Sequence, residues 1–436
     1  MTNAKNPNLD PFSALIGFDH IKKELHVYLD SLKNQEKYIA LGAKAPKTLL
    51  LHGRPGTGKT CFAEAFIKAT GRRCFTVRKD KSDGDFLDAI ATAFEEAMEN
   101  APSVVFLDDM DKFSDTEGRR NSNSEEYVTI QTCLDRIGDA DVFVIATTND
   151  LDTLPHSLTR AKRFGSIIEI DDPDRESAMA IIRHYIGKFN QVKNIDYPLV
   201  GRLLVGHTCA EIEDIINKAG ILAAYAGKGF ISTDEITSAV LDKIYGLGKA
   251  KSRLSEEYQY EVAIHEACHA VVMEALEPGT VTFVSLSSRD SATEGVTSID
   301  KDDNYFSDMK FMENRIRMIL AGKAGTEFFF GKTDVGATHD IHRAHNIALR
   351  FFDSYCAEGF RCFQYSGEAS DGLYARREDK LSTDMDRYYK DALAIIRENR
   401  EKIETLAKTL MEKKIVFYRE IQTLVHGKEI EAPQGE

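Results

Sequence analysis

Three stretches of this 436-residue sequence predict an α/β nucleotide-binding domain followed by a mostly α-helical metal-binding domain. The apolar run Thr48–His52 leads straight into the glycine-rich string Gly53-Arg54-Pro55-Gly56-Thr57-Gly58-Lys59-Thr60. A second apolar run, Val104–Leu107, ends in the paired carboxylates Asp108 and Asp109. Far downstream, His265-Glu266-Ala267-Cys268-His269 is an H-E-x-x-H string inside a helical pattern.

Composition sets the frame. The chain is 42% hydrophobic and 29% charged, as an ordinary globular protein is, and is long enough for two to four domains. A net charge of −14 argues against a duplex nucleic acid partner, because phosphate binding needs a basic surface. No run reaches the roughly 18–20 apolar residues of a membrane span, and residues 1–13 are a polar tail without a signal-peptide pattern. The seven cysteines are scattered, odd in number and without C-x-x-C spacing, which suits free thiols in a reducing cytoplasm.

In chain order, residues 14–46 open with Ile16 and Gly17, counted here with the nucleotide site, and continue as an amphipathic helix (Ile21, Leu25, Tyr28, Leu32) up to the Pro46 turn. Thr48–His52 is a buried strand of parallel-sheet type. The string Gly53–Thr60 is a complete Walker A loop. Its backbone N–H groups turn in around phosphate, Lys59 neutralises phosphate charge, and Thr60 offers a hydroxyl to Mg²⁺. Cys61–Ala69 supplies the helix that must follow. The Asp108–Asp109 strand is the Walker B pattern: Asp108 for Mg²⁺, Asp109 for orienting the attacking water. Val142–Thr148 is a third buried strand with Asn149 at its C-terminal end, the sheet edge where ligands gather. Cys74–Val77 and Ser166–Ile170 complete a five-stranded sheet.

Residues 246–254 break helical periodicity and have the composition of a linker. Beyond it, His265 and His269 are one helical turn apart and can share a metal, with Glu266 close enough to act on a water. Two imidazoles plus one further ligand leave an open tetrahedral position, the pattern of a hydrolytic zinc site. Ile264, Cys268, Val271 and Ala275 give this helix an apolar back. The third ligand is not the metzincin histidine, since positions 272 and 275 are Val and Ala. Glu274 and Glu277 lie too near on the same helix. Val281–Ser288 and Glu294–Ile299 read as strands, and Asp384–Leu424 as a long charged helical tail.

Taken with Arg160-Ala161-Lys162-Arg163-Phe164, the P-loop, the Asp-Asp strand and Asn149 resemble an AAA+ ATPase of the FtsH type. The resemblance runs from about residue 14 to 425. It implies a P-loop AAA+ domain (14–171) with a helical lid (172–245), then a mostly α-helical zinc metalloprotease domain (255–425) and a tail (426–436). It also implies Asn149 as the sensor, Arg160 and Arg163 as arginine fingers in a homo-hexameric ring, and Zn²⁺, ATP and Mg²⁺ as cofactors. Polypeptides are the implied substrates. The segment Thr333–Ile341 resembles the family segment whose aspartate completes the zinc shell, which makes Asp340 the third ligand. His339, His342 and His345 crowd the same segment and are chemically acceptable rivals. A family strand bordering the cleft pairs with extended peptide, and a supporting hairpin is the alternative here.

The sequence departs from that family in four places. The transmembrane anchor is absent, so a soluble, cytoplasmic form is expected. The stretch Arg78–Phe86 is polar where the family has an aromatic-hydrophobic-Gly pore loop, and Phe86, its one aromatic, has the wrong setting. Asp109 stands for the usual Glu, and Cys268, read as packing, for a Gly. Two alternatives to an ATP-driven endopeptidase stay open: a nucleotide-switched remodelling module with vestigial proteolysis, and a peptidase restricted to unfolded chains.

Overall fold

The structure, a computed structural model, describes residues 10–79, 83–114, 124–160, 163–244, 246, 255–286, 295–299, 309–333, 335–357, 359, 362–363 and 370–428. The expected linker beyond Gly246, most of both tails, Asp80–Ser82 of the pore-loop stretch, and Ala161 and Lys162 lie outside the described residues. The chain forms two compact units: residues 1–190 with 206–217, and residues 191–205 with 218–436. The helical stretch 172–245 is thereby shared between them.

The first unit begins with α1 (Asp19–Lys33) and a short α2 (Gln35–Ala40). It continues β1 (Thr48–His52), α3 (Lys59–Thr70), β2 (Arg73–Val77), α4 (Asp83–Glu99), β3 (Ser103–Leu107), α5 (Glu125–Ile137), β4 (Val142–Thr148), β5 (Ile167–Glu169) and α6 (Arg175–Ile186). The five strands pair in parallel in the order β2-β3-β4-β1-β5. Every residue of β3 and β4 is buried, as unbroken apolar runs require in a sheet covered on both faces. One covering layer is α4 and α5, whose Phe86, Phe94, Tyr127 and Ile130 pack on Val105, Leu107 and Val144. Phe86 is fully buried and meets Phe113 edge-on at 5.0 Å, so it is a core residue.

In the second unit lie α7 (Tyr197–Leu204), the C-terminal part of α8 (Cys209–Tyr225) from Lys218 onward, and α9 (Thr233–Lys243), which begins with a Ser232/Glu235 capping box. Then come α10 (Glu256–Leu276), β6 (Val281–Ser285), β7 (Val296–Ile299), α11 (Met309–Phe330), α12 (Thr338–Asp353), α13 (Asp371–Glu398), α14 (Arg400–Lys413), β8 (Ile415–Phe417) and α15 (Tyr418–His426). The small antiparallel sheet has the order β7-β6-β8. The expected helical tail, Asp384–Leu424, is in the structure two long helices, a strand and a short helix. It breaks at Asn399 and again at Lys414, whose positive φ of 65° turns the chain into β8.

The apolar-back, polar-front expectation for the metal helix does not hold. Helix α10 is the axis of its unit, and from Ala263 to Glu274 every residue but His265 is buried. Helices α11 and α14 and strand β6 pack around it, so amphipathic patterning has no face on which to show. Small residues let α10 and α11 approach closely. A Cβ built on Gly325 would lie 2.2 Å from Cys268 Sγ, so these two positions share one volume. Burial pushes the Cys268 thiol up, which fits packing rather than redox chemistry.

This shared volume generates a double-mutant test. Gly325→Ala is expected to destabilise the chain by about 1–3 kcal/mol through overpacking. In a Cys268→Gly background the same change should cost nothing, leaving a coupling of about 1 kcal/mol or more in denaturant unfolding. Additive effects would show that the two residues do not compete.

Candidate active site

Helix α10 turns His265 and His269 toward α12, where Asp340 lies in the first turn. An acidic side chain at that position is favoured by the helix dipole. Asp340 Oδ2 is 3.2 Å from Nε2 of His265 and 3.2 Å from Nε2 of His269, and the two Nε2 atoms are 3.0 Å apart. Tetrahedral ligands about 2.0–2.1 Å from one zinc ion are spaced by about 3.3 Å, so the three atoms can bind a single ion with little movement. The His269 Nδ1–H donates to the carbonyl oxygen of Met318 at 2.7 Å. A carbonyl only accepts, so this bond fixes the tautomer and leaves the Nε2 lone pair facing Asp340 and His265. Burial works to raise the Asp340 carboxyl, but His269 and His265 outweigh it and hold the group well below the usual carboxylate range. Of the candidate third ligands, Asp340 is the one brought to the histidine pair.

Two features shape this cluster. A Cβ on Gly322 of α11 would lie 2.4 Å from His265 Nε2 and 2.5 Å from His269 Nε2, so only glycine leaves the imidazoles their place. Glu266 is buried beside them, and its Oε2 accepts the Thr297 hydroxyl of β7 at 2.7 Å. A cleft of about 290 Å³, lined by Tyr258, His265, Glu266, Val296, Thr297 and His339, opens onto the cluster.

The nucleotide motifs meet at the C-terminal edge of the parallel sheet. Gly53 has φ 146°, and a Cβ there would strike the Ile170 carbonyl oxygen at 2.1 Å. Lys59 Nζ donates to the carbonyl oxygens of Gly53 and Arg54, each at 2.8 Å. Burial lowers the Lys59 ammonium from its ordinary value, while Asp109, Asp111 and Asp108 pull the other way. Asp108 Oδ1 accepts the hydroxyls of Thr147 at 2.8 Å and Thr60 at 3.2 Å, and its Oδ2 is ion-paired with Arg78. Asp109 is ion-paired with Lys112 at 2.6 Å. The Asn149 backbone N–H and Nδ2 donate to the two oxygens of Asp111, each at 3.0 Å. Pro55, Gly56, Thr57 and Gly58 complete the loop, with Gly56 against Thr208. Gly17 abuts α6, where a Cβ on it would lie 2.7 Å from Ser177 Cβ, and the neighbouring Phe18 ring meets Phe62 of α3 edge-on at 5.5 Å.

Residues 49–172 match the ATPase family associated with various cellular activities (AAA), and residues 252–424 match peptidase family M41. The ATP-dependent zinc metalloprotease FtsH 2 of Thermoanaerobacter sp. is 30% identical over 95% of this chain and 82% of its own length. The chain belongs to the FtsH family. FtsH 3 of Synechocystis sp. is 29% identical over 95% of this chain and 72% of its own length. The FtsH protease of Rhodothermus marinus is 28% identical over 94% of this chain and 62% of its own length. Among the described residues no helix is long and apolar enough to cross a membrane.

Against this FtsH background the two arginines of the 160–163 turn differ. Arg160 is exposed, whereas Arg163 is bound within its own subunit by Asp135 at 2.9 Å, Gln131 at 2.8 Å and the Ser157 carbonyl at 2.9 Å. Asp111 and Thr297 were not singled out in the sequence, and Gly322 was noted only as part of the family-like stretch Ala321–Glu327. Asp111 sits two residues past the Asp-Asp pair and was within reach of inspection. The other two act through space and carry no local signal.

Replacing Gly322 by Ala is expected to displace the imidazoles. Elemental analysis should find zinc reduced to a minor fraction of wild type, with helical circular dichroism retained. Full zinc content in that variant would contradict the placement of the histidines.

Proposed function

We propose that this chain is an ATP-dependent zinc endopeptidase of the cytoplasm, working on polypeptides as a homo-hexamer. The observation that carries the reading is the convergence of His265, His269 and Asp340 beside the buried carboxylate of Glu266. Those three residues would hold Zn²⁺, which supplies a Lewis acid for water and the scissile carbonyl. Glu266 removes the proton of the attacking water and returns it to the amine nitrogen as the C–N bond breaks. Strand β7, at the edge of its sheet and half-exposed along its length, is the surface on which an extended peptide would add as a further strand.

In the other unit, the loop Gly53–Gly58 and Lys59 would hold the phosphates, with Thr60 and Asp108 holding Mg²⁺. Asp109 and Asn149 would orient water. Ile16 and Gly17 are counted with the same nucleotide site. Arg160 is the readier candidate to reach a neighbouring subunit's nucleotide, since Arg163 must first leave Asp135, Gln131 and Ser157. A second reading restricts the peptidase to unfolded chains. It is favoured by Phe86, which lies in the core rather than on a loop that could grip substrate.

Glu266→Ala should lower casein cleavage by at least about 10²-fold while leaving ATPase activity intact; cleavage at the wild-type rate refutes the role. A folded tagged protein and an unstructured peptide, each with and without hydrolysable ATP, separate the two readings. ATP-dependent loss of the folded protein supports the first, and cleavage of the peptide alone supports the second.

Arg78 supplies a prediction for the other site. Mg²⁺ has to displace this guanidinium from Asp108, so Arg78→Ala should bind fluorescent ADP at a several-fold lower Mg²⁺ concentration. An unchanged Mg²⁺ midpoint would remove Arg78 from the site.

A further inference from the structure

Glu266 is held by strand β7 and by Gly295, the residue just before it. A Cβ on Gly295 would lie 2.5 Å from Glu266 Cγ and 2.6 Å from Oε1, so the carboxylate stem rests directly on backbone there. Two residues along, the Thr297 hydroxyl donates to Oε2 at 2.7 Å and also lies 3.1 Å from the Glu266 carbonyl oxygen. Thr297 itself is fixed by the antiparallel ladder, where it sits opposite Val284 of the fully buried strand β6. A hydroxyl has one proton to give and an ionised carboxylate only accepts, so the bond constrains where Oε2 lies.

We propose that Thr297 is a positioning residue that sets the Glu266 carboxylate for proton transfer, using its hydroxyl to tie the general base to the cleft's edge strand. The inference rests on the peptidase reading given above. A proton acceptor must reach its proton within hydrogen-bond distance, and a displacement of about 1 Å costs about 10²-fold in rate. Glu266 lies on a helix whose position is set by the surrounding core, so its side-chain torsions are the remaining freedom. Gly295 and Thr297 remove it. Because Thr297 belongs to the strand proposed to receive peptide and Gly295 immediately precedes it, a substrate that orders β7 orders the base with it.

The test uses the full chain with zinc and ATP, an unstructured fluorogenic peptide, and the variants Thr297→Val and Thr297→Ser. Thr297→Val should lower kcat by about tenfold or more with KM within about twofold, and Thr297→Ser, which keeps the hydroxyl, should stay within about threefold of wild type. Binding of a leucine hydroxamate, whose proton passes to the base on binding, gives a second readout. Its Kd should weaken by about threefold or more in Thr297→Val and should not change when the same substitution is made in Glu266→Gln. The inference is overturned by an unchanged kcat in Thr297→Val, by equal losses in the Val and Ser variants, by an effect on KM alone, or by the same hydroxamate loss in the Glu266→Gln background. A zinc-loaded wild type that cleaves nothing overturns the peptidase reading itself.

Discussion

The close approach of α10 and α11 is the constraint on which the metal half depends. Gly322 and Gly325 remove side-chain volume where His265, Cys268 and His269 need it. With α11 this near, the Met318 carbonyl reaches His269 and selects its tautomer. A bulkier residue at either glycine would push the helices apart and release both constraints together. The rest of the unit serves to keep this contact dry. Ile396 and Leu406 from the tail helices, with Ile316 and Ile319 of α11, build the apolar shell in which α10 is embedded. In such surroundings an unpaired charge is costly, so two neutral imidazoles and one carboxylate form a donor set that calls for a cation.

How much of this was legible in the sequence depends on the range over which each feature acts. The i, i+4 spacing of His265 and His269 is a property of any helix, so a string of five letters sufficed. The P-loop and the Asp108–Asp109 strand were legible for the same reason, since β1, β3 and β4 are unbroken apolar runs bounded by functional residues. Asp340 lies far along the chain from His269, and no spacing rule connects them. Resemblance to a family singled it out, and geometry then brought its Oδ2 to both imidazoles. Thr297 had neither support, and Gly322 lay in a stretch, Ala321–Glu327, that resembles the family without a role being given to the glycine. One is a common strand residue and the other a glycine in a helix, and their roles exist only in three dimensions.

The errors of reading have causes of the same kind. An amphipathic stripe was expected on α10 because solvent was assumed on one side. Packed on several sides by helices and by β6, the helix has no such side. The helical reading of the tail passed over β8, because a three-residue strand such as Ile415–Phe417 is too short to register a period of two. Strand β8 owes its existence to pairing with β6, a tertiary partner that local propensity does not contain.

The two sites handle charge in opposite ways, and that contrast bears on how each works. At the metal cluster the ligand atoms already lie within reach of one ion, a carbonyl sets one tautomer and a hydroxyl holds the Glu266 carboxylate. The cost of ordering these groups falls on folding, which suits a site whose geometry must be the same at every turnover. At the nucleotide loop, Asp108 is matched with Arg78, Asp109 with Lys112, and Lys59 with two loop carbonyls. A phosphate and its Mg²⁺ must exchange these partners, so the cost falls on binding and each exchange moves a charged side chain. Arg78 is largely exposed and Asp108 is almost wholly buried, so it is the arginine that can move. A site built on exchangeable pairs can take a second arrangement once its partners are exchanged, which is the property a nucleotide-driven switch requires. Groups fixed in place at one site and exchangeable ion pairs at the other suit different demands, an unchanging geometry in the first and a change of partners in the second.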